Sequence, residues 1–318
     1  MEASAILERL PRPSGAIGQT LSAPGWFTSA IAVEPERSTV AVGDAEIELL
    51  TWGERGRPGL LLVPGLCAHA DWWSFIAPLF LPHFRVAAMS LSGMGGSSWR
   101  PVYRFEDNAA ELWACAKAAG LYDHPAAPTF IGHSQGGWAV FFSALKFPER
   151  MAQGILIDTA YNARGPANRP LEEPEHLAPV RETAYSSREE ALARFRLYPD
   201  QEVDNDFIVD FIANRSVKSG MRDGREVWTW RFDPQIFVKI SSAGFALENK
   251  PAPLTHIIGE RSVLMARTDN DQPPLLRRYM PVVRIPEAGH HVMIDQPLAL
   301  VSTLRAILMQ RRVARAAS

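Results

Sequence analysis

Short apolar runs alternate with longer amphipathic stretches along most of the chain. The apolar runs of strand length are bounded by glycine, proline or polar residues, which is the pattern of buried parallel strands. They cover residues 60–63, 85–89, 129–132, 155–157, 254–258 and 282–285. Stretches with helical spacing lie between or after them, at Trp72–Leu81, Phe105–Ala119 and Pro297–Arg311. The alternation predicts an α/β fold in which helices flank a mostly parallel central sheet.

The first part of the chain has a different pattern. Residues 1–37 are rich in Pro, Gly and Ser and predict an irregular N-terminal leader. Thr39–Val42 and Glu46–Trp52 have strand character and flank the Gly43-Asp44 pair. This combination predicts a β-hairpin at the start of the core.

Charged helical segments and many aromatic residues interrupt the alternation between residues 161 and 250. Ser187–Leu197 and Asp204–Ala213 predict helices. The aromatic residues of this stretch are Tyr161, Tyr185, Phe195, Tyr198, Phe207, Phe211, Trp228, Trp230, Phe232, Phe237 and Phe245. An insertion after a core strand lies at the sheet edge where open parallel sheets bind ligands. We therefore expect a mainly helical cap over residues 161–250, with a minority of its aromatics lining a pocket, on a core made of residues 38–160 and 251–318.

A serine between two glycines stands at the end of one predicted strand. Residues 128–137 read P-T-F-I-G-H-S-Q-G-G, so Gly132 and Gly136 each lie two positions from Ser134. A strand that turns at once into a helix presses the two elements together, and residues without a Cβ tolerate that crowding. The pattern predicts a nucleophile elbow, with the Gln135 N–H at the helix N-terminus beside the Ser134 hydroxyl. A serine in this position is suited to nucleophilic attack and to stabilisation of an oxyanion.

Composition and charge narrow the class of partner. The chain has 318 residues, of which 47% are hydrophobic and 21% charged, enough for one large core with an insertion. Its formal net charge of -2 comes from 33 basic and 35 acidic residues without a long block of one sign, so nucleic acid and anionic membranes are not expected partners. A hydrophobic small molecule is the expected partner, and no cofactor or metal is expected. The oligomeric state stays open, with a dimer as one option.

The cysteines and the N-terminus bear on the compartment. Cys67 and Cys115 are the only cysteines, too few for a disulfide framework or a cysteine-based zinc site, and they fit a reducing environment. The N-terminus lacks a basic region followed by an apolar stretch, and no run of about eighteen apolar residues occurs. We therefore expect a cytoplasmic protein without a membrane span.

Several segments together resemble the α/β-hydrolase superfamily, of the type with an inserted helical cap. They are L-L-L-V-P-G-L, M-S-L-S-G-M-G-G-S, I-G-H-S-Q-G-G-W and P-E-A-G-H-H-V-M-I-D-Q-P, and the resemblance spans roughly residues 38 to 312. The resemblance implies an α/β-hydrolase fold and a triad of serine, acid and histidine in that chain order, with the imidazole as general base.

The resemblance also suggests the two partners of Ser134. His290 follows glycine in the A-G-H-H segment and is the expected base, with His291 as the alternative. Many relatives place the acid after the strand that follows the cap, but residues 259–264 read G-E-R-S-V-L, with serine and valine at those positions. Some capped relatives carry the acid at the end of the strand after the nucleophile helix, where this chain has Asp158. We expect Asp158 to be the acid, with Glu260 as the alternative.

An oxyanion hole needs two N–H donors near the oxygen that becomes charged. Gln135 is one expected donor. The resemblance makes Leu66 the other, because the P-G-L segment stands where the family usually has His-Gly-x, with Cys67 as the alternative if the loop is shifted by one residue. The remaining histidines, His133 among them, are expected to be structural or to line the pocket.

A serine nucleophile, rather than an aspartate, argues against dehalogenation and epoxide opening. The expected reaction is cleavage of a carboxylic ester or lactone of a hydrophobic small molecule through an acyl-serine intermediate. Hydrolysis of a carbon–carbon bond in a ring-cleavage diketone is an alternative, and an arginine that binds a substrate carboxylate would favour it. The candidates for that role are Arg164, Arg215 and Arg231. A non-catalytic small-molecule receptor on the same fold is a further alternative.

Overall fold

An eight-stranded sheet organises the part of the chain that the computed structural model describes, residues 22–160, 182–240, 251–266 and 280–316. The strands of this sheet are β1 Glu36–Val42, β2 Ala45–Trp52, β3 Gly59–Val63, β4 Arg85–Met89, β5 Thr129–His133, β6 Gln153–Ile157, β9 Leu254–Gly259 and β10 Val282–Ile285. Their order across the sheet is β1-β2-β4-β3-β5-β6-β9-β10. The pairs β1/β2 and β2/β4 are antiparallel, and all the other pairs are parallel. The mostly parallel α/β sheet and the first hairpin are therefore confirmed.

Helices cover the sheet and complete the described fold. The core helices are α1 Gly25–Ile31, α2 Phe105–Ala118, α3 Gln135–Lys146, α7 Val263–Ala266, α8 Val292–Asp295 and α9 Pro297–Ala316. Between β6 and β9 the described elements are α4 Arg188–Leu192, α5 Asp206–Arg215, a hairpin of β7 Val217–Arg222 and β8 Arg225–Trp230, and α6 Ile236–Lys239. Within the described residues, no helix has both the length and the apolar content that a bilayer crossing requires.

The central strands are apolar on both faces, which explains the continuous apolar runs in the sequence. Every residue of β3 is buried. Leu60 and Leu62 belong to the apolar cluster on one face of the sheet, while Leu61 and Val63 belong to the cluster on the other face. Alternate side chains of a strand point to opposite faces, so in a strand covered on both faces every position is buried and apolar residues are favoured throughout.

Two sequence predictions outside the sheet are wrong in detail. The segment predicted as one helix over Trp72–Leu81 forms two short 3-10 turns, Ala70–Trp73 and Ala77–Phe80. Pro78 restricts the backbone before it and lacks an N–H, so a continuous α-helix is disfavoured there. The predicted irregular leader contains α1, whose Phe27 and Ala30 are buried. Residues 1–21 lie outside the described part of the chain.

The segment between β6 and β9, called the insert below, contains a β-hairpin that the sequence analysis did not predict. Its turn is Asp223-Gly224, and both residues have positive φ, 52° and 75°. An Asp-Gly pair between strand-like residues is the usual signal for such a turn. The expected helices are present but shorter or shifted, as α4 and α5. Residues 161–181 and 241–250, with Tyr161 and Phe245, lie outside the described residues.

Candidate active site

Ser134 lies on a sharp turn between β5 and α3. Its backbone has φ 51° and ψ -116°, a conformation that residues other than glycine seldom adopt. Its N–H donates to the carbonyl of Ile157 on β6, at 2.9 Å. A Cβ added at Gly132 would lie 2.3 Å from the carbonyl oxygen of Gly136, and one added at Gly136 would lie 2.4 Å from that of Pro64. The two glycines are therefore required by the close approach of backbone to backbone at this turn.

Asp158 lies directly after β6, and its carboxylate is fully buried with three donors around it. Its Oδ1 accepts the N–H of Gly259 at 3.0 Å. Its Oδ2 accepts the Ser262 hydroxyl at 2.6 Å and the Nδ1–H of His290 at 2.7 Å. Hydrogen bonds to the ionised form compensate the cost of burying the charge. Ser262 occupies the position at which many relatives carry the triad acid. Here its hydroxyl donates to Asp158, which follows the neighbouring strand β6.

Glu260, the alternative acid, does not contact His290. Its side chain is exposed, and its Oε2 accepts the N–H of Glu287 at 3.4 Å. The structure therefore brings Asp158, rather than Glu260, into contact with the predicted base.

His290 is the histidine that faces this carboxylate. Because its Nδ1–H donates to Asp158, its Nε2 is the nitrogen that the neutral ring leaves free to accept a proton. His291 bonds instead to the carbonyl of Pro199, through Nε2 at 3.3 Å. Among the described residues, the Ser134 hydroxyl forms no hydrogen bond with either imidazole, and contacts between a nucleophile and its base often tighten only when substrate binds.

The loop after β3 lies against Ser134. A Cβ added at Gly65 would be 3.2 Å from the Ser134 Cβ. The backbone N–H groups of Leu66 and Gln135 have no acceptor among the described residues, as donors kept for an oxyanion must. The same holds for Cys67, whose φ is 61°. All three candidate donors are therefore without an acceptor among the described residues, and the choice of Leu66 over Cys67 stays a prediction.

The sequence analysis missed a pair of residues that holds the loop of His290 from both sides. Asp295 accepts the N–H of Gly289 through Oδ2 at 2.7 Å, and Gln201 of the insert accepts the N–H of His291 at 2.9 Å. The Gln201 amide also donates to both carboxylate oxygens of Asp295, at 2.9 Å each. Burial raises the pKa of Asp295 to about 6, so the carboxylate is still ionised at neutral pH.

This pair, called the Gln201–Asp295 clamp below, connects the insert to the two residues that flank His290. Asp295 belongs to the P-E-A-G-H-H-V-M-I-D-Q-P segment, which the sequence analysis used to identify His290 but not Asp295. No local pattern marks Gln201, because its partners lie about ninety positions away in the chain. The position of the predicted base therefore depends on a residue of the insert.

Two of the three candidate arginines form ion pairs with acidic residues of the core. Arg231 pairs with Glu48 at 2.5 Å and lies 3.8 Å from Asp71. Arg215 lies 3.7 Å from the same Asp71 carboxylate. Both guanidinium groups therefore serve to attach the insert to the core. Arg164 lies outside the described residues.

Three imidazoles are packed together, those of His133, which precedes Ser134, and of His290 and His291. The side chains of His133, His290 and His291 are buried, and a ring nitrogen from each lies within 4.8 Å of the other two. Burial, together with the neighbouring His290, lowers the pKa of His133 and of His291 well below the usual range, so both stay neutral. Among the described residues, this is the cluster of side chains that could hold a metal ion.

Comparisons with known proteins agree with the observed fold. A family model described as the alpha/beta hydrolase family matches residues 60–303. Esterase Rv0045c of Mycobacterium tuberculosis is 27% identical over 292 residues, covering 87% of this chain and 90% of the relative. The 3-oxoadipate enol-lactonase 2 of Acinetobacter baylyi is 30% identical over 128 residues, 39% of this chain and 45% of the relative. A thioesterase domain from the curacin biosynthetic pathway has the same fold, with a TM-score of 0.65 and 20% identity over 86% of this chain and 99% of that one.

The close contact at the elbow predicts that Gly132→Ala destabilises the protein. The new methyl group would meet backbone atoms of Gly136, which have no flexible side chain to move, so we expect a loss of about 3 kcal/mol, the upper part of the overpacking range. Gly220→Ala on β7 is the matched control, because nothing lies within 4 Å of its added Cβ, and it should change stability by less than about 0.5 kcal/mol. Thermal unfolding compares the two. Equal melting temperatures would show that the elbow is not as tightly packed as described.

The Gln201–Asp295 clamp predicts that Gln201→Ala slows the covalent reaction of Ser134 with a fluorophosphonate. Loss of the amide leaves the His291 N–H without its acceptor and the Asp295 carboxylate without its amide donor, so the loop of His290 can move. A base displaced in this way lowers the rate by roughly 10- to 100-fold. The rate of adduct formation is followed by mass spectrometry, with Ser219→Ala on the exposed face of the insert as control. An unchanged rate in Gln201→Ala would mean that the insert does not position His290.

Proposed function

Because this chain belongs to the alpha/beta hydrolase family, we propose that it is a serine hydrolase that cleaves a carboxylic ester or lactone of a hydrophobic small molecule. The observation that carries the proposal is the buried hydrogen bond between Asp158 and His290, at 2.7 Å, in a chain whose Ser134 has the strained backbone of a nucleophile elbow. The esterase and enol-lactonase among its relatives support ester or lactone bonds as the target.

The first half of the proposed reaction forms an acyl-serine. His290 Nε2 takes the proton of the Ser134 hydroxyl as its oxygen attacks the acyl carbon, and Asp158 stabilises the imidazolium that forms. The carbonyl oxygen becomes an oxyanion between the N–H groups of Leu66 and Gln135. Collapse of this intermediate breaks the bond to the leaving oxygen, which receives the proton from His290.

Water completes the cycle. His290 takes a proton from a water molecule, whose oxygen attacks the acyl carbon of the acyl-serine, and a second oxyanion forms in the same hole. When it collapses, Ser134 recovers its proton from His290 and the carboxylic acid leaves. The insert would act in this scheme as a cap over the nucleophile that also fixes the base through Gln201.

The two described candidate arginines, Arg215 and Arg231, favour an ester or lactone over a substrate that must be held by its carboxylate. Arg215 and Arg231 face Asp71 and Glu48, so their charges are already compensated. A ring-cleavage diketone with a carboxylate would need a cation that is not already paired. For this reason we place ester or lactone cleavage first.

The proposal predicts that a fluorophosphonate labels the protein at Ser134 and that Ser134→Ala abolishes both labelling and turnover. The hydroxyl attacks the phosphorus of a fluorophosphonate as it would an acyl carbon, so labelling uses the same base and N–H donors and needs no knowledge of the natural substrate. Peptide mass mapping locates the adduct. Turnover is measured on aryl esters, lactones and ring-cleavage diketones. A protein that takes no label, or that cleaves the diketones alone, would refute the proposal.

The assignment of the acid predicts unequal effects for two substitutions. Asp158→Asn leaves the imidazole in the wrong tautomer and should lower kcat by roughly 1,000- to 10,000-fold, as the loss of the acid does in other triads. Glu260→Gln removes an exposed carboxylate that does not contact His290, and its kcat should stay within about twofold. Steady-state kinetics on the best ester of the panel decides. Near-normal turnover by Asp158→Asn would overturn the choice of acid.

A further inference from the structure

The hydrogen bonds of the three buried imidazoles fix where their protons lie. His133 Nε2 lies 2.9 Å from the carbonyl oxygen of His290, and His291 Nε2 lies 3.3 Å from that of Pro199. A carbonyl only accepts hydrogen bonds, so both Nε2 atoms carry the proton and donate it. In a neutral ring that donates through Nε2, the Nδ1 atom is a bare lone pair.

These two lone pairs have no partner. His133 Nδ1 and His291 Nδ1 are buried, and neither forms a hydrogen bond in the structure. Buried polar atoms are normally satisfied, so an unpartnered pair of them in one cluster requires an explanation. The proposed reaction does not supply one, because it uses neither atom.

The third imidazole completes the pattern. His290 donates its Nδ1–H to Asp158 and keeps a lone pair on Nε2. Each of the three rings thus donates one N–H to an oxygen atom and leaves the other nitrogen unprotonated. Histidines that bind metals have this arrangement, in which a carboxylate or a backbone carbonyl holds the N–H and orients the ring toward the ion.

The spacing of the rings also fits an ion. The ring centroids lie 4.7 Å apart for His133 and His290, 4.9 Å for His290 and His291, and 5.5 Å for His133 and His291. Three imidazoles around a tetrahedral zinc, with Zn–N bonds of about 2.0–2.1 Å, place their centroids about 5 Å apart. Each ring also offers one nitrogen within 4.8 Å of a nitrogen of the other two, so rotations of the rings would bring a lone pair from each to a common ion.

We propose that His133, His290 and His291 bind a divalent transition-metal ion, zinc above all, and that the bound ion stops the reaction at Ser134. The ion occupies His290 Nε2, so this nitrogen cannot take the proton of the hydroxyl. Imidazole nitrogens select zinc, copper or nickel over magnesium and calcium, which prefer oxygen ligands. The Asp158 carboxylate behind His290 offsets part of the positive charge of the ion. The inhibitory part of this proposal rests on the proposed function, whereas the binding part does not.

Binding is measured first, without any assay of turnover. The metal-free chain of 318 residues is dialysed against zinc chloride, and the bound metal is counted by elemental analysis. We expect one zinc per chain, with the same affinity in Ser134→Ala, which keeps all three rings. His133→Asn and His291→Asn should each weaken binding by more than about tenfold. Removal of a residue that only hydrogen-bonds a metal ligand already lowers affinity about tenfold, and removal of the ligand itself should cost more. Magnesium chloride should not bind.

His83→Asn is the matched control, since His83 is exposed and lies outside the cluster. Zinc binding that His83→Asn removes, or that His133→Asn and His291→Asn both leave intact, would mean an adventitious ion only and would overturn the proposal. Cobalt chloride with the wild-type chain gives an independent readout should a variant fail to fold. Intense visible bands of tetrahedral cobalt are expected, and the weak bands of an octahedral ion would refute the site.

Inhibition is measured second, on a protein already shown to bind zinc at the cluster. Zinc should slow both ester turnover and the labelling of Ser134 by a fluorophosphonate, in proportion to the fraction of sites occupied, and a chelator should restore both. Full labelling at saturating zinc would refute the inhibitory role. A chain that binds zinc at the cluster but takes no label even without metal would instead show that the proposed function has failed.

Discussion

A single buried carboxylate joins the parts of the site that the chain keeps far apart. Asp158 at the end of β6 receives hydrogen bonds from the start of the loop after β9 and from His290, which lies 132 positions later in the sequence. A charge removed from water is tolerated only when such donors surround it, so the carboxylate fixes both loops relative to the end of β6. Without this contact, neither the tautomer nor the direction of the imidazole would be determined.

The sheet brings these groups to one edge. β3, β5, β6, β9 and β10 run parallel, so the loop of Leu66, the elbow, Asp158 and the loop of His290 all follow carboxyl ends of strands. Backbone contacts at Gly132 and Gly136 set the separation between the elbow and its neighbours. The Gln201–Asp295 clamp then connects this edge to the insert, so both the core and the insert hold the loop of His290, the predicted base.

The features that could be predicted from the sequence are those set by residues close together in the chain. The apolar runs predicted the strands because both faces of the sheet are covered, and the two glycines predicted the elbow because no Cβ fits at those positions. The choice of Asp158 over Glu260 rested on resemblance, and the contact with His290 agrees with it. The predicted helix over Trp72–Leu81 is absent because its apolar spacing comes from residues buried all round, with a proline in the middle. Gln201 was invisible because its role depends on partners distant in sequence, and the Asp223-Gly224 hairpin was overlooked although its signal is local.

Proton NMR of the Asp158–His290 contact tests the account most directly. A short hydrogen bond between an imidazole N–H and a buried carboxylate shifts its proton far downfield of the amide region, and burial protects it from exchange. We expect one such resonance in the wild-type protein, retained in Ser134→Ala and absent from folded Asp158→Ala. Its absence from the folded wild-type chain, or its persistence in Asp158→Ala, would contradict the proposal that this carboxylate orients the base.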